Sequence, residues 1–231
     1  MNSHVSPRLQ LSPSILTADF GRIADEVRAV AEHVDWFHLD VMDGHYVPNL
    51  TFGTSTVEAV RAACEQPLHV HLMIENPGEF VDGFAAAGAD RISFHPEVTD
   101  DPAAVIDRIR RAGAGVGIAV HPDVDLSFAE KYLSSLDVIL MMTVRPGFGG
   151  QSFMSEMLPK ITDARRLVDL EDAGADIEVD GGIKIDNIDL AVRAGANILV
   201  SGSGVYDGVD AAAAASRLRV RLDELSRGAR A

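Results

Sequence analysis

His38 and Asp40 stand two residues apart in the stretch Trp36–Gly53, WFHLDVMDGHYVPNLTFG. Trp36, Phe37, Leu39 and Val41 are apolar or aromatic and suit a buried strand. Side chains on a strand alternate between faces. His38, Asp40 and Met42 therefore share one face, and Phe37, Leu39 and Val41 the other. An imidazole and a carboxylate on an apolar strand are costly to bury without partners. A hydrogen-bonded pair inside a core would satisfy them; so would a reactive centre. The rest of the chain repeats the pattern. LHVHLMI, Leu68–Ile74, puts His69 and His71 on one face with Met73, and IEVD ends on Asp180 just before Gly181-Gly182. Two histidines and two carboxylates from three strands can converge on one divalent cation. Imidazole with carboxylate suits Zn, Fe, Mn or Co better than calcium, and zinc is the first expectation.

Short apolar runs alternate with amphipathic segments, and Gly, Pro or Asp marks each change. Strands are expected at Gln10–Leu16, Trp36–Met42, Leu68–Ile74, Arg91–His95, Gly115–Val120, Val138–Val144, Ile177–Asp180 and Ile198–Ser201. Helices are expected over Gly21–His33, Thr54–Cys64, Pro77–Ala87, Pro102–Ala112, Leu126–Leu136, Phe153–Asp172, Asn187–Ala194 and Asp210–Ser226. Strand–helix alternation implies a parallel sheet with right-handed crossovers. Eight such units in 231 residues point to a single closed (β/α)8 TIM barrel, of α/β class, over residues 8–231, with residues 1–7 as a flexible arm. An open Rossmann-like sheet would call for G-x-G-x-x-G after an early strand, and the first strand runs instead into SPSILTADFG.

In such a barrel, active sites lie at the C-terminal ends of the strands. His38, Asp40, His71 and Asp180 are accordingly the expected metal ligands. His69, one layer deeper than His71, is expected to be a hydrogen-bonded barrel residue. Three glycine clusters follow adjacent late strands: Pro146-Gly147-Phe148-Gly149-Gly150-Gln151, Gly181-Gly182, and Ser201-Gly202-Ser203-Gly204. One cluster alone reads as turn chemistry. Three together read as a phosphate cradle, where backbone approaches an anion closely and a short helix N-terminus aims at it. Met42, Met73 and Met142 are core fillers taken singly. Together they would line the site and keep water from a charged intermediate.

Composition narrows the classes. An apolar share of 47% supports a large core. No apolar run reaches the roughly 18 residues that would suggest a membrane span, and the N-terminus shows no apolar core of a secretory signal. A net charge of −15, spread along the chain, argues against a nucleic-acid partner. It leaves room for an anionic metabolite, because backbone N–H groups bind phosphate without lysine or arginine. Cys64 is the sole cysteine, which suits a reducing cytoplasm; it is expected to act as a small buried apolar residue. The expected setting is cytoplasmic and homo-oligomeric, with no membrane partner.

SPSILTADF, FHLDVMDGHYVPNLTFG, HVHLMIENP, TVRPGFGGQ, EVDGGI and SGSGVY, in that order from Leu11 to Tyr206, closely resemble the ribulose-phosphate 3-epimerase family. The resemblance implies a metal-dependent barrel interconverting D-ribulose 5-phosphate and D-xylulose 5-phosphate in the pentose phosphate pathway. It implies His38, Asp40, His71 and Asp180 as metal ligands, with Asp40 as proton acceptor and Asp180 as donor, exchanged in reverse. Ser14 and His71 would contact substrate. Gly147, Phe148, Gly149, Gly150, Gly181, Gly182, Gly202 and Ser203 would hold the sugar phosphate. Arg145, His121 and Gly204 depart from the common family residues. Arg145 would either add a phosphate contact or face solvent.

Inversion beside a ketone explains why such residues are wanted. A C–H next to a carbonyl is weakly acidic, and removing its proton leaves an enediolate. Returning a proton from the other side inverts the centre, so two acid–base groups must flank it. A hexulose-phosphate epimerase, for D-allulose 6-phosphate for example, would share the metal and both aspartates. A metal-free barrel lyase would need a reactive lysine, and of Lys131, Lys160 and Lys184 only Lys184 falls near a strand end. A non-catalytic sugar-phosphate binder would not need both Asp40 and Asp180.

Overall fold

In the computed structural model, which describes residues 8–228, eight strands alternate with eight helices. The expected arm at 1–7 lies outside the described residues. The strands are β1 Gln10–Ser12, β2 Phe37–Met42, β3 Leu68–Met73, β4 Arg91–Phe94, β5 Gly115–Val120, β6 Val138–Met142, β7 Asp176–Asp180 and β8 Ile198–Val200. The helices are α1 Ile23–Val30, α2 Thr54–Arg61, α3 Val81–Ala86, α4 Pro102–Arg111, α5 Ser127–Tyr132, α6 Leu158–Leu170, α7 Ile188–Ala194 and α8 Ala211–Gly228. All ladders are parallel, in the order β1-β8-β7-β6-β5-β4-β3-β2. The seam between β1 and β2 is drawn together just past β1: the His38 N–H donates to the Pro13 carbonyl at 2.9 Å, and Ser14 bridges to His38. The result is a single, nearly closed (β/α)8 barrel.

Strand parity decides what each residue meets. Outward side chains such as Phe37, Leu39, Val70, Leu72, Ile92 and Phe94 join the main core, between sheet and helices. Each is essentially removed from water, worth about 1.5–3 kcal/mol per large side chain. Inward side chains are of another kind. His38, Asp40, His69, His71, Ser93 and Glu178 are buried inside the barrel. The apolar company there is small: Met42 with Met73 and Val47, and Ala119 with Leu140, Met142 and Val144.

Local chemistry sets the helix ends. Asp101 caps α4 by accepting from the Ala104 N–H at 3.1 Å, Pro102 opens the helix, and Val105, Ile106 and Ile109 turn inward. Gly88, at φ +111°, ends the α3 segment where an added Cβ would meet Arg61 at 2.8 Å.

The expected first strand is too long. β1 stops at Ser12, and Ile15–Thr17 winds into a 3-10 turn in which Ser14 Oγ accepts from the Leu16 N–H at 3.3 Å. The apolar run is real, but Pro13 and the serine cap break the extended chain. The fifth helix is likewise shorter than Leu126–Leu136, because Leu133–Ser135 tightens to 3-10 geometry. In α8, Ala214 and Ala215 are buried within this chain, so much of that alanine surface is already covered. Cys64 is buried just beyond α2.

Candidate active site

Adjacent strands carry the centre in register. His38 pairs with His69 and Asp40 with His71 across β2 and β3. Oδ1 of Asp40 lies 3.2 Å from His38 Nε2 and 3.1 Å from His71 Nδ1. Oδ2 of Asp180, at the end of β7, lies 3.9 Å from each of the same two nitrogens. One donor atom from each of the four residues falls within 4.8 Å of the others. The contacts of 3.1–3.9 Å bracket the separation of roughly 3.3 Å expected between ligands of a tetrahedral ion with bonds near 2.0–2.1 Å.

One atom makes the case sharper. Nε2 of His38 is fully buried, has no hydrogen-bond partner among the described residues and faces two carboxylates. Its other ring nitrogen is hydrogen-bonded to Glu178 Oε1 at 3.0 Å. Imidazole lone pairs and carboxylate oxygens directed at one another are mutually repulsive until a proton or a cation stands between them. The donor set fits a divalent transition metal or zinc. The remaining oxygen of Asp40 accepts from Ser14 Oγ at 2.5 Å.

The two aspartates sit in opposed electrostatic environments. Burial alone would raise Asp40, but the His38 imidazole 3.2 Å away and the contact with His71 Nδ1 hold its carboxyl far below the usual range. Burial, then the Asp40 charge, pushes Asp180 up to about 8. The two carboxyls are thus pushed in opposite directions, the kind of division that acid–base chemistry at neutral pH requires. Burial works against charge on His38, yet Asp40, Glu178 and Asp180 outweigh it and raise its pKa. Burial dominates at His71, which falls to about 3, and at His69, which falls to about 4.

Above this cluster opens a pocket of about 510 Å³, solvent mouth included. Ser14, Asp40, Asp180, Met42, Met73 and Met142 form its deep part, and Gly147, Phe148, Gly149, Gly150, Gly181, Gly182, Gly202 and Ser203 its rim. His38 and His71 lie wholly buried beneath it. The rim glycines have steric reasons. Gly182 has φ +70°, and an added Cβ would stand 2.4 Å from the Phe153 nitrogen. At Gly149 it would stand 2.7 Å from Thr17. Among the described residues, no lysine or arginine lines the pocket. Arg145 is exposed and paired with Asp123, and Lys184 is exposed. After β8 there is a single hydrogen-bonded turn, Gly202–Tyr206, in place of a distinct short helix.

His69 does not join the four ligand atoms. It bonds Ser93 Oγ at 2.7 Å and lies 2.7 Å from Glu178 Oε2. Three participants escape sequence reasoning. Glu178 touches both His38 and His69, His95 bonds His71 at 3.0 Å, and the Thr17 hydroxyl is buried without a partner beside the rim. Glu178 was detectable, since it shares Asp180's parity on β7. His95 shares the parity of Ser93 in the expected strand Arg91–His95, but its partner His71 belongs to the neighbouring strand.

A parallel barrel with a buried His–Asp cluster below a glycine-rimmed pocket has the layout of a barrel enzyme with a candidate metal centre. The profile described as the ribulose-phosphate 3 epimerase family matches residues 10–206. Ribulose-phosphate 3-epimerase of Mycobacterium leprae (strain TN) is 45% identical over 216 residues, covering 94% of this chain and 96% of that one. The Bacillus subtilis (strain 168) protein of the same name is 44% identical over 214 residues, covering 91% and 98%. The chain belongs to the ribulose-phosphate 3-epimerase family and is an epimerase. Among solved structures, KGPDC from Streptococcus mutans superposes with TM-score 0.71 at 16% identity, covering 94% of this chain and 98% of that one. 3-Hexulose-6-phosphate synthase superposes with TM-score 0.69 at 22% identity, covering 92% and 99%. These two likenesses concern the fold alone. Family membership supports epimerisation of a pentose phosphate, and the His/Asp group is able to hold a divalent ion.

Proposed function

We propose that this chain inverts C3 of D-ribulose 5-phosphate to give D-xylulose 5-phosphate, and the reverse, with Asp40 and Asp180 as the acid–base pair. The observation that carries the reading is geometric: Asp40 from β2 and Asp180 from the end of β7 meet in one His–Asp cluster and both line the same pocket, in environments that push their protonation in opposite directions. In the forward direction Asp40 takes the C3 proton from one side of the sugar. Asp180 delivers a proton from the other side, and the roles exchange in reverse. Ser14 holds Oδ2 of Asp40, fixing the carboxylate plane while its other oxygen faces the imidazoles. A divalent ion held by His38, Asp40, His71 and Asp180 would supply Lewis-acid stabilisation of the developing oxyanions, worth several kcal/mol.

Substrate orientation comes from the other end of the pocket. Backbone amides around Gly147–Gly150, Gly181–Gly182 and Gly202–Ser203 grip the phosphate, with Phe148 above them. This remote binding energy holds C3 between the two carboxyls. Met42, Met73 and Met142 line the floor with polarizable apolar surface and keep water from the enediolate. Among the described residues no helix is long and apolar enough to cross a membrane.

Metal analysis of the purified protein, with NMR of ribulose 5-phosphate in deuterated water, tests the reading. Deuterium should enter C3 as xylulose 5-phosphate appears, and chelation should stop both. Interconversion without label, full activity after metal removal, or activity confined to six-carbon ketose phosphates would overturn it.

A further inference from the structure

Each imidazole proposed as a ligand leaves one nitrogen facing away from the centre, and each of those nitrogens meets a buried polar partner. Behind His38, Glu178 Oε1 bonds Nδ1 at 3.0 Å, while Oε2 lies 2.7 Å from His69 Nδ1. Behind His71, Nε2 bonds His95 Nε2 at 3.0 Å. Nδ1 of His95 lies 3.3 Å from Glu97 Oε1, in ion-pair range but without the alignment of a hydrogen bond, and that oxygen accepts from the Tyr46 hydroxyl at 2.9 Å. His38, His71, His95 and Glu178 are all fully buried, so water does not compete for these contacts.

We propose that Glu178 and the His95–Glu97 pair are positioning residues: two arms, each ending in a carboxylate, that set which nitrogen of each ligand imidazole carries hydrogen. An ionised carboxylate only accepts. Glu178 therefore keeps the His38 hydrogen on Nδ1 and leaves Nε2 bare toward Asp40 and Asp180. At His71 the nitrogen facing those aspartates is Nδ1. A cation there requires Nδ1 bare, so the hydrogen sits on Nε2 and is donated to His95. His95 must then accept at Nε2 and carry its own hydrogen on Nδ1, toward Glu97. Outer partners of this kind orient ligand rings and raise their basicity. A rival use of the same atoms is a second ion among His38, His69 and Glu178. Contacts of 3.0 and 2.7 Å are hydrogen-bond lengths, shorter than the roughly 3.3 Å between ligands of a tetrahedral ion. The Arg91 guanidinium, 3.9 Å from Glu178 Oε2, already brings positive charge to that side.

The inference rests on the metal reading above, and the experiment separates the two. Native protein, Glu178→Gln, His95→Phe and Glu97→Gln are stripped, then titrated with Zn²⁺ against a competing chelator. Nitrogen-15 spectra of the zinc-loaded native protein report which ring nitrogens carry hydrogen. An uncharged carboxamide accepts the His38 Nδ1 hydrogen more weakly and can instead turn its NH2 toward the ring, so Glu178→Gln should lose about 10–100-fold in zinc affinity, and His95→Phe a comparable amount. Glu97→Gln, at the more exposed end of its arm, should lose less. The spectra should place hydrogen on Nδ1 of His38 and Nε2 of His71. Native affinity in folded variants, or hydrogen on the opposite nitrogens, overturns the arms and leaves the metal reading standing. Failure of native protein to bind any divalent ion removes both. Should Glu178→Gln fail to fold, the native spectra and the Glu97→Gln titration decide the matter.

Discussion

Asp180→Asn replaces a carboxyl by a carboxamide of nearly the same shape, and its consequences should differ for the two epimers. The residue ends β7 with its side chain 14% exposed, and its Oδ2 faces His38 and His71 at 3.9 Å. The amide can neither take up nor release a proton at neutral pH, so the acid–base step on that face is lost. Such a step contributes about 10²–10⁴ in rate, or about 3–5 kcal/mol at 1.36 kcal/mol per tenfold. The centre also loses an anionic ligand, which saturating metal in the assay offsets. Asp40 keeps its contacts to Ser14, His38 and His71. It should still remove the C3 proton of ribulose 5-phosphate and return a solvent deuteron to the same face. In deuterated water the variant should therefore label ribulose 5-phosphate at C3 without converting it, while xylulose 5-phosphate stays unlabelled. Asp40→Asn should show the mirror pattern. NMR of both sugars, with metal content and melting curves as controls, reads all of this. Native interconversion by Asp180→Asn would refute the acid–base assignment. Equal loss of exchange from both epimers, in a folded and metal-loaded variant, would refute the assignment of faces.

Stability of the metal-stripped protein should depend on pH through Asp180. Its folded pKa of about 8 lies above the ordinary carboxylate value, so folding binds a proton that the unfolded chain releases at lower pH. That stabilisation is complete below about pH 4 and fades as pH rises toward 8; zinc, replacing the proton, should flatten the fall in melts compared at pH 5 and pH 8. Gly182→Ala, with its Cβ against the Phe153 backbone and φ +70°, should cost about 2–5 kcal/mol in urea unfolding. Gly150→Ala has φ +75° but open space, and should cost only about 1–2 kcal/mol. Arg145→Ala should leave KM within about twofold, because its charge is exposed and spent on Asp123; a large rise in KM would make it a phosphate contact. Lys184→Ala should keep turnover, and a dead, folded variant would revive the lysine-dependent lyase chemistry.

Much of the centre is legible in strand parity. HLD on β2 and HVH on β3 each put two polar side chains on one face of an apolar strand, and buried polar groups demand partners. Layering then separates His71 from His69, because the C-terminal end of a strand is the mouth of the barrel. Glu178 obeys the same parity, one layer below Asp180, but EVDGG draws attention to the residue beside the glycines. Its role depends on register: Leu140 of β6 and Ile198 of β8 flank Glu178, and the His38 and His69 rings reach it across the barrel interior. No spacing along the chain carries a contact between residues 140 apart. His95 is hidden for the same reason. Alternation over Arg91–His95 puts it on the face of Ser93, but its partner His71 lies on β3, and no spacing along the chain carries that contact. The first strand errs in the opposite sense. QLSPSIL has the composition of a strand, and only the serine cap and proline geometry end it early.

The charge layout bears on how a chain of net charge −15 handles a sugar phosphate. Among the described residues its pocket lining contains no lysine or arginine, while Asp40 and Asp180 lie at its floor. An anion entering such a pocket meets favourable charge only from oriented N–H groups at the rim and from a cation at the floor. The amides act over short range and hold the phosphate where the glycines allow close approach. A divalent ion would offset the paired carboxylates where the reacting oxygens would otherwise face like charge. Binding and chemistry are thereby assigned to opposite ends of one small cavity. On the proposed reading, late strands would supply the grip through backbone, and early strands with the tip of β7 would supply proton transfer through side chains. Substitutions at the rim should then act mainly on KM and substitutions at the floor on kcat, because rim contacts are made equally in ground and transition states, whereas the floor meets charge that develops only during reaction.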